Sequence, residues 1–326
     1  GDVYKRQVLV HRAQALCYAW IYLDDHGLEE IDVQMTYAHL DTEMIKRFRE
    51  TMTREELESW YQRLLDSYHK WLSYQMKWRE ERNRSMEKLE FPFIYRKGQK
   101  EMVAGIYHAI SRKEQIFIQA PTGVGKTMSA VFPAVRSIGE GKAETLFYLT
   151  ARTITRTVAQ DAFEILRKNG LLFKTVTITA KEKLCFCEKP ECNPETCPYA
   201  KGHYDRINDA VYELWTNEQS FDRETILRQA EKWQVCPFEM SLELSVWMDA
   251  VICDYNYVFD PNVYLKRFFG ENISGKYLFL IDEAHNLVER GREMYSASIC
   301  LEDTIQIRKF IKPYSQKLWK KLSLIH

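Results

Sequence analysis

The chain has 326 residues, of which 45% are hydrophobic and 28% are charged, and its 46 basic and 46 acidic residues give a formal net charge of zero. This length and hydrophobic content suffice for two globular domains and do not fit a disordered protein. The balanced charge excludes a general attraction to nucleic acid, so any such contact must come from local basic patches. No run of 18 apolar residues is present, so we expect neither a membrane span nor a signal peptide, and a cytoplasmic protein.

The two ends of the chain predict a fragment. No methionine begins the sequence, "GDVYKRQ" matches no structural pattern, and the chain stops at "KKLSLIH" within a basic helical stretch. We therefore expect residues 301–326 to be the start of a further, truncated domain.

A long amphipathic helix is predicted from Thr53 to Trp78. Apolar and aromatic residues recur there at alternating spacings of four and three. The segment "TREE" supplies a capping box, with Thr53 as the cap and Glu56 three residues later. We interpret residues 42–90 as a helix that bridges two modules. A helix packed on a neighbouring domain is favoured over a free coiled coil, because the repeat barely lasts about three heptads.

After residue 90, short runs rich in β-branched and aromatic residues alternate with helical patterns. This alternation is typical of βαβ units around a parallel sheet. Ligands of such sheets bind beyond the carboxyl ends of the strands. We therefore predict an α/β nucleotide-binding domain formed by residues 91–184 and 237–300.

The segment "QAPTGVGKTMSA" predicts a phosphate-binding loop between a strand, "QIFI", and a helix. It fits the pattern G-x-x-x-x-G-K-[ST] except that Ala120 replaces the first glycine. Gly123 and Gly125 allow the backbone N–H groups to turn toward a polyphosphate at the start of the helix. Lys126 is predicted to reach the β- and γ-phosphates, and the Thr127 hydroxyl to coordinate Mg²⁺. The alternative, a glycine-rich turn without a ligand, is less favoured in this strand-to-helix context.

An acidic pair, Asp282 and Glu283, follows a predicted strand in the segment "YLFLIDEAHNL". Residues 277–281 read as a buried strand. At its end, Asp282 is predicted to hold Mg²⁺, and Glu283 to orient or deprotonate the water that attacks the γ-phosphate. Alone, this string would be an ordinary strand end with surface acids. The phosphate-loop pattern upstream favours a shared metal site instead.

A cysteine-rich insertion is predicted at residues 185–236. Five of the eight cysteines of the chain fall in it, at positions Cys185, Cys187, Cys192, Cys197 and Cys236. Disulfides are not expected in the cytoplasm, so a group of thiols this dense indicates a metal. Two C-x₄-C steps and a distant Cys-Pro favour a four-iron cluster over zinc, which remains the alternative.

These motifs together resemble the superfamily 2 helicases, in the iron-sulfur branch represented by XPD and DinG. "APTGVGKT" and "DEAH" look like motifs I and II, and "YLTARTITRTVAQDA" looks like motif Ia, which touches the DNA backbone in that family. "YRKGQKEM" resembles the element before the loop, with Arg96 and Gln99 in the nucleotide-binding places. The resemblance implies a RecA-like domain, with His285 linking ATP chemistry to DNA contacts. "VICDYNYVFDP" is similar to an element that lies near the DNA path.

The resemblance also implies an activity and its cofactors. We expect an ATP-dependent DNA helicase, moving 5′ to 3′ on single-stranded and forked DNA in repair or replication, with ATP, Mg²⁺ and a [4Fe-4S] cluster. The order of cysteines in the family implies the cluster ligands Cys185, Cys192, Cys197 and Cys236. Cys187 is then the spare, and its exchange with Cys185 is the alternative assignment.

In this family the insertion forms a wedge where the duplex strands part. The segment "CPYAKGHYDR" fits such a surface, because basic residues can follow the backbone and aromatic rings can stack on bases. Its candidate residues are Tyr199, Lys201, His203, Tyr204 and Arg206. A solvated helix face with structural tyrosines is an equal alternative.

The N-terminal segment, residues 1–41, resembles a different family. Gln14 and Tyr18 are four residues apart on one helical face, similar to the helix that follows the active site in RecB-type PD-(D/E)XK nucleases. The metal-binding carboxylates of that family lie upstream and are absent from this chain, so we interpret the segment as the remnant of a nuclease. A plain amphipathic helix is the alternative.

The expected helicase lacks its second motor domain in this sequence, and with it the arginine finger. Removal of such an arginine costs roughly 10³ to 10⁵ in rate, so we expect weak nucleotide binding and scarcely any hydrolysis. Two other functions are weighed: a phosphate-loop ATPase switch that is not a helicase, and a zinc-stabilised nucleic-acid binding module. Nothing in the sequence specifies an oligomeric state.

Overall fold

The computed structural model describes residues 9–40, 42–121, 123–151, 153–189, 191–298 and 300–324. In chain order the elements are α1 (Leu9–His26), β1 (Glu30–Ala38), β2 (Ile45–Thr53), α2 (Arg54–Glu87), α3 (Gln99–Arg112), α4 (Lys126–Gly139), β3 (Thr145–Thr150), α5 (Thr153–Lys168), β4 (Thr175–Thr177), α6 (Lys181–Leu184), α7 (His203–Asn217), β5 (Ser220–Phe221), α8 (Arg223–Trp233), α9 (Pro237–Ser245), β6 (Ala250–Asp254), α10 (Asn256–Phe259), α11 (Lys266–Phe269), β7 (Tyr277–Ile281), α12 (Leu287–Met294), α13 (Leu301–Ile311) and α14 (Gln316–Leu324). A short 3₁₀ turn, Ala284–Asn286, precedes α12. The chain divides into two compact units, Gly1–Arg79 and Glu80–His326.

The first unit contains an antiparallel hairpin that was not predicted. Strands β1 and β2 pair from Glu30 with Thr53 to Ala38 with Ile45. On α1, Leu16 and Leu23 are fully buried and pack in one cluster with Val33 of β1. Strand β2 lies within residues 42–90, which were interpreted as a helix. Along β1, Ile31, Val33, Met35 and Tyr37 alternate with more exposed residues, and Val33 is the buried member of this set.

The predicted capping box is confirmed at the start of α2. The Thr53 backbone N–H donates to the Glu56 carboxylate at 3.0 Å, and the Glu56 N–H donates to the Thr53 hydroxyl at 3.3 Å. These two bonds satisfy backbone groups that the first turn of a helix leaves unpaired. The helix is confirmed too, and it runs longer than predicted, over Arg54–Glu87.

The second unit is built on a five-stranded parallel sheet, as the βαβ pattern predicts. Its strand order is β5-β4-β6-β3-β7. Helices α4 and α5 cover one face, where Val131, Phe163 and Ile252 are fully buried in one cluster. On the other face, the ring of Phe147 lies 5.1 Å from those of Phe268 and Phe269 on α11. Both faces are therefore covered, as parallel sheets require.

A buried ion pair lies at the amino end of the sheet. Arg82, in the last turns of α2, donates to the carboxylate of Asp249, which directly precedes β6. The two side chains are 9% and 4% exposed. The second oxygen of Asp249 accepts the Lys174 backbone N–H at 2.8 Å, so that the carboxylate joins α2 to the start of β4.

Two strands predicted from the sequence differ from the structure, the first in its existence and the second in its burial. Residues 115–118, "QIFI", form no strand, and Ile116, Phe117 and Ile118 are 46%, 88% and 40% exposed. Extended backbone forms a strand only beside a partner, and among the described residues these have none. The strand predicted over Tyr277–Ile281 is confirmed as β7. It is not buried as expected, because it lies at the edge of the sheet, where Phe279 is 40% exposed.

No helix in the described part of the chain is long and apolar enough to cross a membrane.

Candidate nucleotide site and cysteine group

The predicted phosphate loop lies between Ala120 and the start of α4. Gly123 and Gly125 both adopt left-handed backbone, with φ of 81° and 77°. Glycine adopts this conformation without the strain that a side chain causes. Helix α4 begins at Lys126, so its unpaired N–H groups and positive dipole end lie at the loop. This arrangement suits a bound anion. Thr122, within the loop, lies outside the described residues.

Hydrogen bonds of Arg96 and Gln99 connect the phosphate loop to the start of α3. The Gln99 side chain donates to the Val124 carbonyl at 2.6 Å and accepts the Arg96 backbone N–H at 2.7 Å. The Arg96 guanidinium donates to the Gly123 carbonyl. Gln99 is 5% exposed. Both side chains border the site, as expected, and their hydrogen bonds go to the protein backbone.

Gly125 allows this contact because it has no side chain. A Cβ placed there would lie 2.5 Å from the Gln99 side-chain nitrogen. We expect Gly125→Ala to displace Gln99, to strain the backbone by about 1 to 2 kcal/mol and to weaken Mg-ATP binding about tenfold. Isothermal titration and thermal unfolding of the variant measure both effects.

Gly141→Ala is the matched control for this variant. Gly141 has a φ of 74°, but no atom lies within 4 Å of the position that an added Cβ would take. It should show a similar loss of stability with unchanged nucleotide affinity. Equal nucleotide affinities of the two variants would contradict the role given to the Gln99 contact.

The acidic pair faces the phosphate loop. The Asp282 backbone N–H bonds to the Leu149 carbonyl at 3.0 Å, which places the pair at the carboxyl end of β7. The Glu283 carboxylate lies 4.0 Å from the Lys126 ammonium and 3.4 Å from the ring nitrogen Nδ1 of His285. Glu283 is thus within reach of both Lys126 and His285.

Tyr148 is a site residue that the sequence analysis missed. It lies on β3, on the face that α4 covers, and its hydroxyl is close to Thr127 and to the Asp282 carboxylate. Burial, followed by the nearby Asp282 carboxylate, raises the pKa of Tyr148, so the phenol stays protonated and can donate. Burial and the neighbouring Glu283 raise the pKa of Asp282 as well. The signal in the sequence is the alternation of "TLFYLT", which puts Tyr148 on the α4 face.

A cavity of about 490 Å³ opens beside the loop. Its lining combines polar groups of the loop with an apolar side: Phe93, Ile94, Arg96, Gln99, Gly123, Gly125, Lys126, Thr127, Met128 and Glu283. The polar groups suit a phosphate chain, and Phe93 and Ile94 offer an apolar surface for a base. The structure therefore brings the loop and the acidic residue Glu283 to one cavity.

Some of the cysteines of the insertion lie close together in the structure. No disulfide joins the eight cysteines, all of which lie in the described part of the chain. The sulfurs of Cys187 and Cys197 are 3.9 Å apart. Partial burial and the nearby thiols of Cys197 and Cys185 raise the pKa of Cys187 to about 11. A hydrogen bond with Cys192 raises the pKa of Lys181, and the Cys236 thiol contributes in the same direction.

Thiols are the ligands that iron-sulfur clusters use, so the chemistry of this group fits the predicted cluster. In the described residues, no three His, Cys, Asp or Glu side chains are arranged closely enough to hold a metal ion. The position of Cys187 beside Cys197 keeps it a candidate alongside Cys185. The ligand assignment stays a prediction.

Two of the five residues predicted to contact DNA form hydrogen bonds within the protein instead. Arg206 donates to the carbonyls of Trp233, Lys201 and Gln234, at 2.9, 2.8 and 2.7 Å. His203 is buried, and its ring nitrogen accepts the Cys236 backbone N–H at 3.2 Å. These two residues hold the insertion together. Of the five candidates, Tyr204 is 82% exposed, and Lys201 is exposed as well.

Gln14 and Tyr18 share an exposed face of α1, as the four-residue spacing predicts. The Gln14 amide donates to the Tyr18 hydroxyl at 3.4 Å, and Tyr18 is 65% exposed. The nuclease resemblance of this segment stays a prediction.

Comparison with protein families finds two overlapping matches. The family of DEAD/DEAH box helicases matches residues 96–192, and the DEAD_2 family matches residues 168–304. The first match contains the phosphate loop, and the second contains the acidic pair and the whole cysteine insertion.

Individual relatives are distant. A Regulator of telomere elongation helicase 1 homolog of Caenorhabditis briggsae is 23% identical over 270 residues, which are 67% of this chain and 27% of that protein. A Fanconi anemia group J protein homolog of Gallus gallus is 32% identical over 106 residues, which are 32% of this chain and 8% of that protein. A solved structure, Truncated XPD, is 21% identical with a TM-score of 0.45, covering 69% of this chain and 63% of that one. The chain thus spans about a quarter of the length of the first curated relative.

Proposed function

We propose that this chain supplies the ATP-binding motor domain of an ATP-dependent DNA helicase of the XPD and DinG type, since residues 96–304 match the DEAD/DEAH box helicase and DEAD_2 families. The observation that carries the proposal is the 4.0 Å approach of Lys126 to Glu283. It joins the phosphate loop and Glu283 in one cavity, as phosphoryl transfer to water requires.

Each residue of the site has a distinct part in the proposed reaction. The loop N–H groups and Lys126 bind the phosphates of ATP and compensate their charge. Mg²⁺, held by Thr127 and Asp282, would neutralise charge that develops on the transferred phosphoryl group. Tyr148 donates a hydrogen bond to Asp282 and fixes its orientation. Glu283 orients the attacking water from the side opposite the leaving group.

The test of this function is Mg-ATP binding to the purified chain. We expect binding that requires Mg²⁺ and that ADP competes for, measured by isothermal titration. In the complete protein, we expect unwinding of forked duplexes that depends on a 5′ single-stranded tail. Absence of Mg-ATP binding would contradict the proposal. Nucleotide binding with hydrolysis that does not depend on DNA, in the complete protein, would favour the ATPase switch.

We further propose that the insertion carries a [4Fe-4S] cluster held by Cys185, Cys192, Cys197 and Cys236. No described residue of segment 185–202 is buried, so ligation would supply rigidity that packing there does not. With the exposed Tyr204 beside it, the rigid insertion could meet the single strand near the fork.

Metal analysis tests the cluster. Chain purified without oxygen should contain about four irons and four sulfides. Cys192→Ala should lose both, whereas Cys187→Ala, the matched control at the spare position, should keep them. Loss of iron in Cys187→Ala but not in Cys185→Ala would show that Cys187 is the ligand and Cys185 the spare. Stoichiometric zinc without sulfide would overturn the cluster and favour the zinc module.

A further inference from the structure

Cys187 and Cys197 are neighbouring thiols in the cysteine-rich insertion. Their sulfurs lie 3.9 Å apart, and neither forms a disulfide. Both side chains are partly exposed, so a small oxidant can reach them from solvent. A four-iron cluster takes four cysteine ligands. With Cys185, Cys192, Cys197 and Cys236 assigned to it, the spare thiol of Cys187 is left beside one of the ligands.

A turn held by Asn193 fixes the backbone of Cys197. The Asn193 carbonyl accepts the Cys197 N–H at 2.9 Å, and the Asn193 side-chain oxygen accepts the N–H groups of Glu195 and Thr196 at 2.9 and 3.0 Å. Asparagine side chains stabilise turns by such bonds to the backbone that follows them. Cys197 therefore has a defined position, although no described residue of segment 185–202 is buried.

An aromatic contact holds the two cysteine-bearing stretches together. Phe186 directly precedes Cys187, Tyr199 lies two residues after Cys197, and the centroids of the two rings are 4.6 Å apart. Aromatic rings at this separation attract each other. The two cysteines are ten positions apart along the chain, so the contact brings together two points that are distant in the sequence. The turn and the ring contact can both persist when the thiols react, because neither involves a sulfur atom.

A disulfide between Cys187 and Cys197 requires little movement. An S–S bond is about 2.05 Å long, so the sulfurs must approach by about 2 Å, which rotation of one side chain about its Cα–Cβ bond can supply. No helix or strand has to break, since the described residues between α6 and α7 form neither. Cys185 also lies close to Cys187, but a disulfide across one intervening residue would close a small, strained ring.

We propose that Cys187 and Cys197 form a reversible disulfide in the cluster-free chain, and that this bond withholds Cys197 from cluster assembly. The disulfide goes beyond the proposed function, whereas the withheld ligand rests on the proposed [4Fe-4S] cluster. A bound cluster and the disulfide exclude each other, because both need the Cys197 sulfur. Transient disulfides of this kind are the redox-sensing ones that reducing compartments allow.

The oxidant is a peroxide. The thiolate of one cysteine attacks a peroxide oxygen, the O–O bond breaks and water leaves, which gives a sulfenic acid. The other thiol attacks this sulfur, loses its proton and displaces a second water. The two thiols thus lose two electrons and two protons, and hydrogen peroxide is reduced to two waters. A dithiol reverses the reaction by exchange and itself becomes a disulfide.

Peptide analysis of the iron-free full chain tests the disulfide. The chain is treated with about one equivalent of hydrogen peroxide, its remaining thiols are alkylated, and it is digested with trypsin and a glutamate-specific protease. The sequence then yields residues 184–188, 192–195 and 196–201 as separate peptides. We expect the mass of peptide 184–188 joined to peptide 196–201, and the disappearance of this mass after treatment with dithiothreitol.

Cys187→Ala should lose this cross-linked mass. Cys192→Ala is the matched control, because Cys192 is an exposed cysteine of the same segment and lies outside the proposed pair. It should keep the cross-link. Cys185→Ala should keep it as well, which distinguishes the two cysteines that share peptide 184–188.

Iron uptake tests the consequence for the cluster. Without oxygen, ferrous iron and sulfide are added to the iron-free chain before and after peroxide treatment, and bound iron is measured in the first minutes. The reduced chain should take up iron, the peroxide-treated chain should lose this early uptake, and dithiothreitol should restore it. Cys187→Ala should take up iron equally before and after treatment, because the partner of Cys197 is gone.

The outcomes separate this inference from the proposed cluster. No cross-link in the peroxide-treated chain, or a cross-link that persists in Cys187→Ala, would overturn the disulfide. A cross-link without effect on iron uptake would overturn the withholding of Cys197. Loss of iron uptake in reduced Cys187→Ala would make Cys187 a ligand and contradict the inference. No iron uptake by the reduced, unsubstituted chain would overturn the cluster, while the peptide masses would still decide the disulfide.

Discussion

Replacement of Lys126 by alanine should reduce the affinity for Mg-ATP by roughly 30- to 150-fold, which corresponds to about 2 to 3 kcal/mol. The ammonium group is at the N-terminus of α4, 3.3 Å from the Ala120 carbonyl and 4.0 Å from Glu283. Its removal deletes charge-assisted hydrogen bonds to phosphate and leaves the Glu283 carboxylate facing the phosphates unshielded. Isothermal titration of the purified variant measures the loss.

Lys168→Ala is the matched control. Lys168 is exposed in the last turn of α5, so the same change of charge occurs there away from the loop. We expect its nucleotide affinity to equal that of the unsubstituted chain. An unchanged affinity in Lys126→Ala would show that this loop is not the nucleotide site.

Replacement of Asp249 by alanine should lower the free energy of unfolding of the second unit by about 3 to 5 kcal/mol. The change leaves the Arg82 guanidinium buried without its carboxylate and removes the acceptor of the Lys174 N–H. Hydrogen exchange of the β3 and β6 amides reports the opening of this unit separately from the first.

Glu80→Ala provides the comparison. Glu80 pairs with Arg84 one helical turn away, and the two side chains are 64% and 68% exposed. Exposed pairs of this kind contribute about 0.3 to 0.5 kcal/mol. If Asp249→Ala costs no more than this control, the buried pair does not stabilise the sheet in the way described.

The parts of the site that follow from local sequence could be predicted. The loop glycines and the start of a helix at Lys126 each depend on residues within a short segment. The capping box at Thr53 is a local feature of the same kind. In each case, the chain needs no distant partner to adopt the predicted conformation.

The parts that depend on distant partners were missed. Tyr148 becomes a site residue only because sheet pairing brings β3 and β7 side by side. The segment "QIFI" has the composition of a strand, yet composition does not supply a neighbour to pair with. The β1–β2 hairpin was missed although its sequence contains a signal. Ile31, Val33, Met35 and Tyr37 alternate with polar residues, and this pattern predicts a strand.

The position of β7 has a consequence for work with the purified chain. Within the described residues, one side of this strand has no neighbour in the sheet, and Phe279 and the apolar segment at residues 116–118 are exposed to solvent. Unpaired edge strands with apolar side chains promote self-association between molecules. Light scattering should therefore show concentration-dependent aggregation, which Phe279→Lys should suppress, since a charge on an edge strand opposes pairing with a second copy.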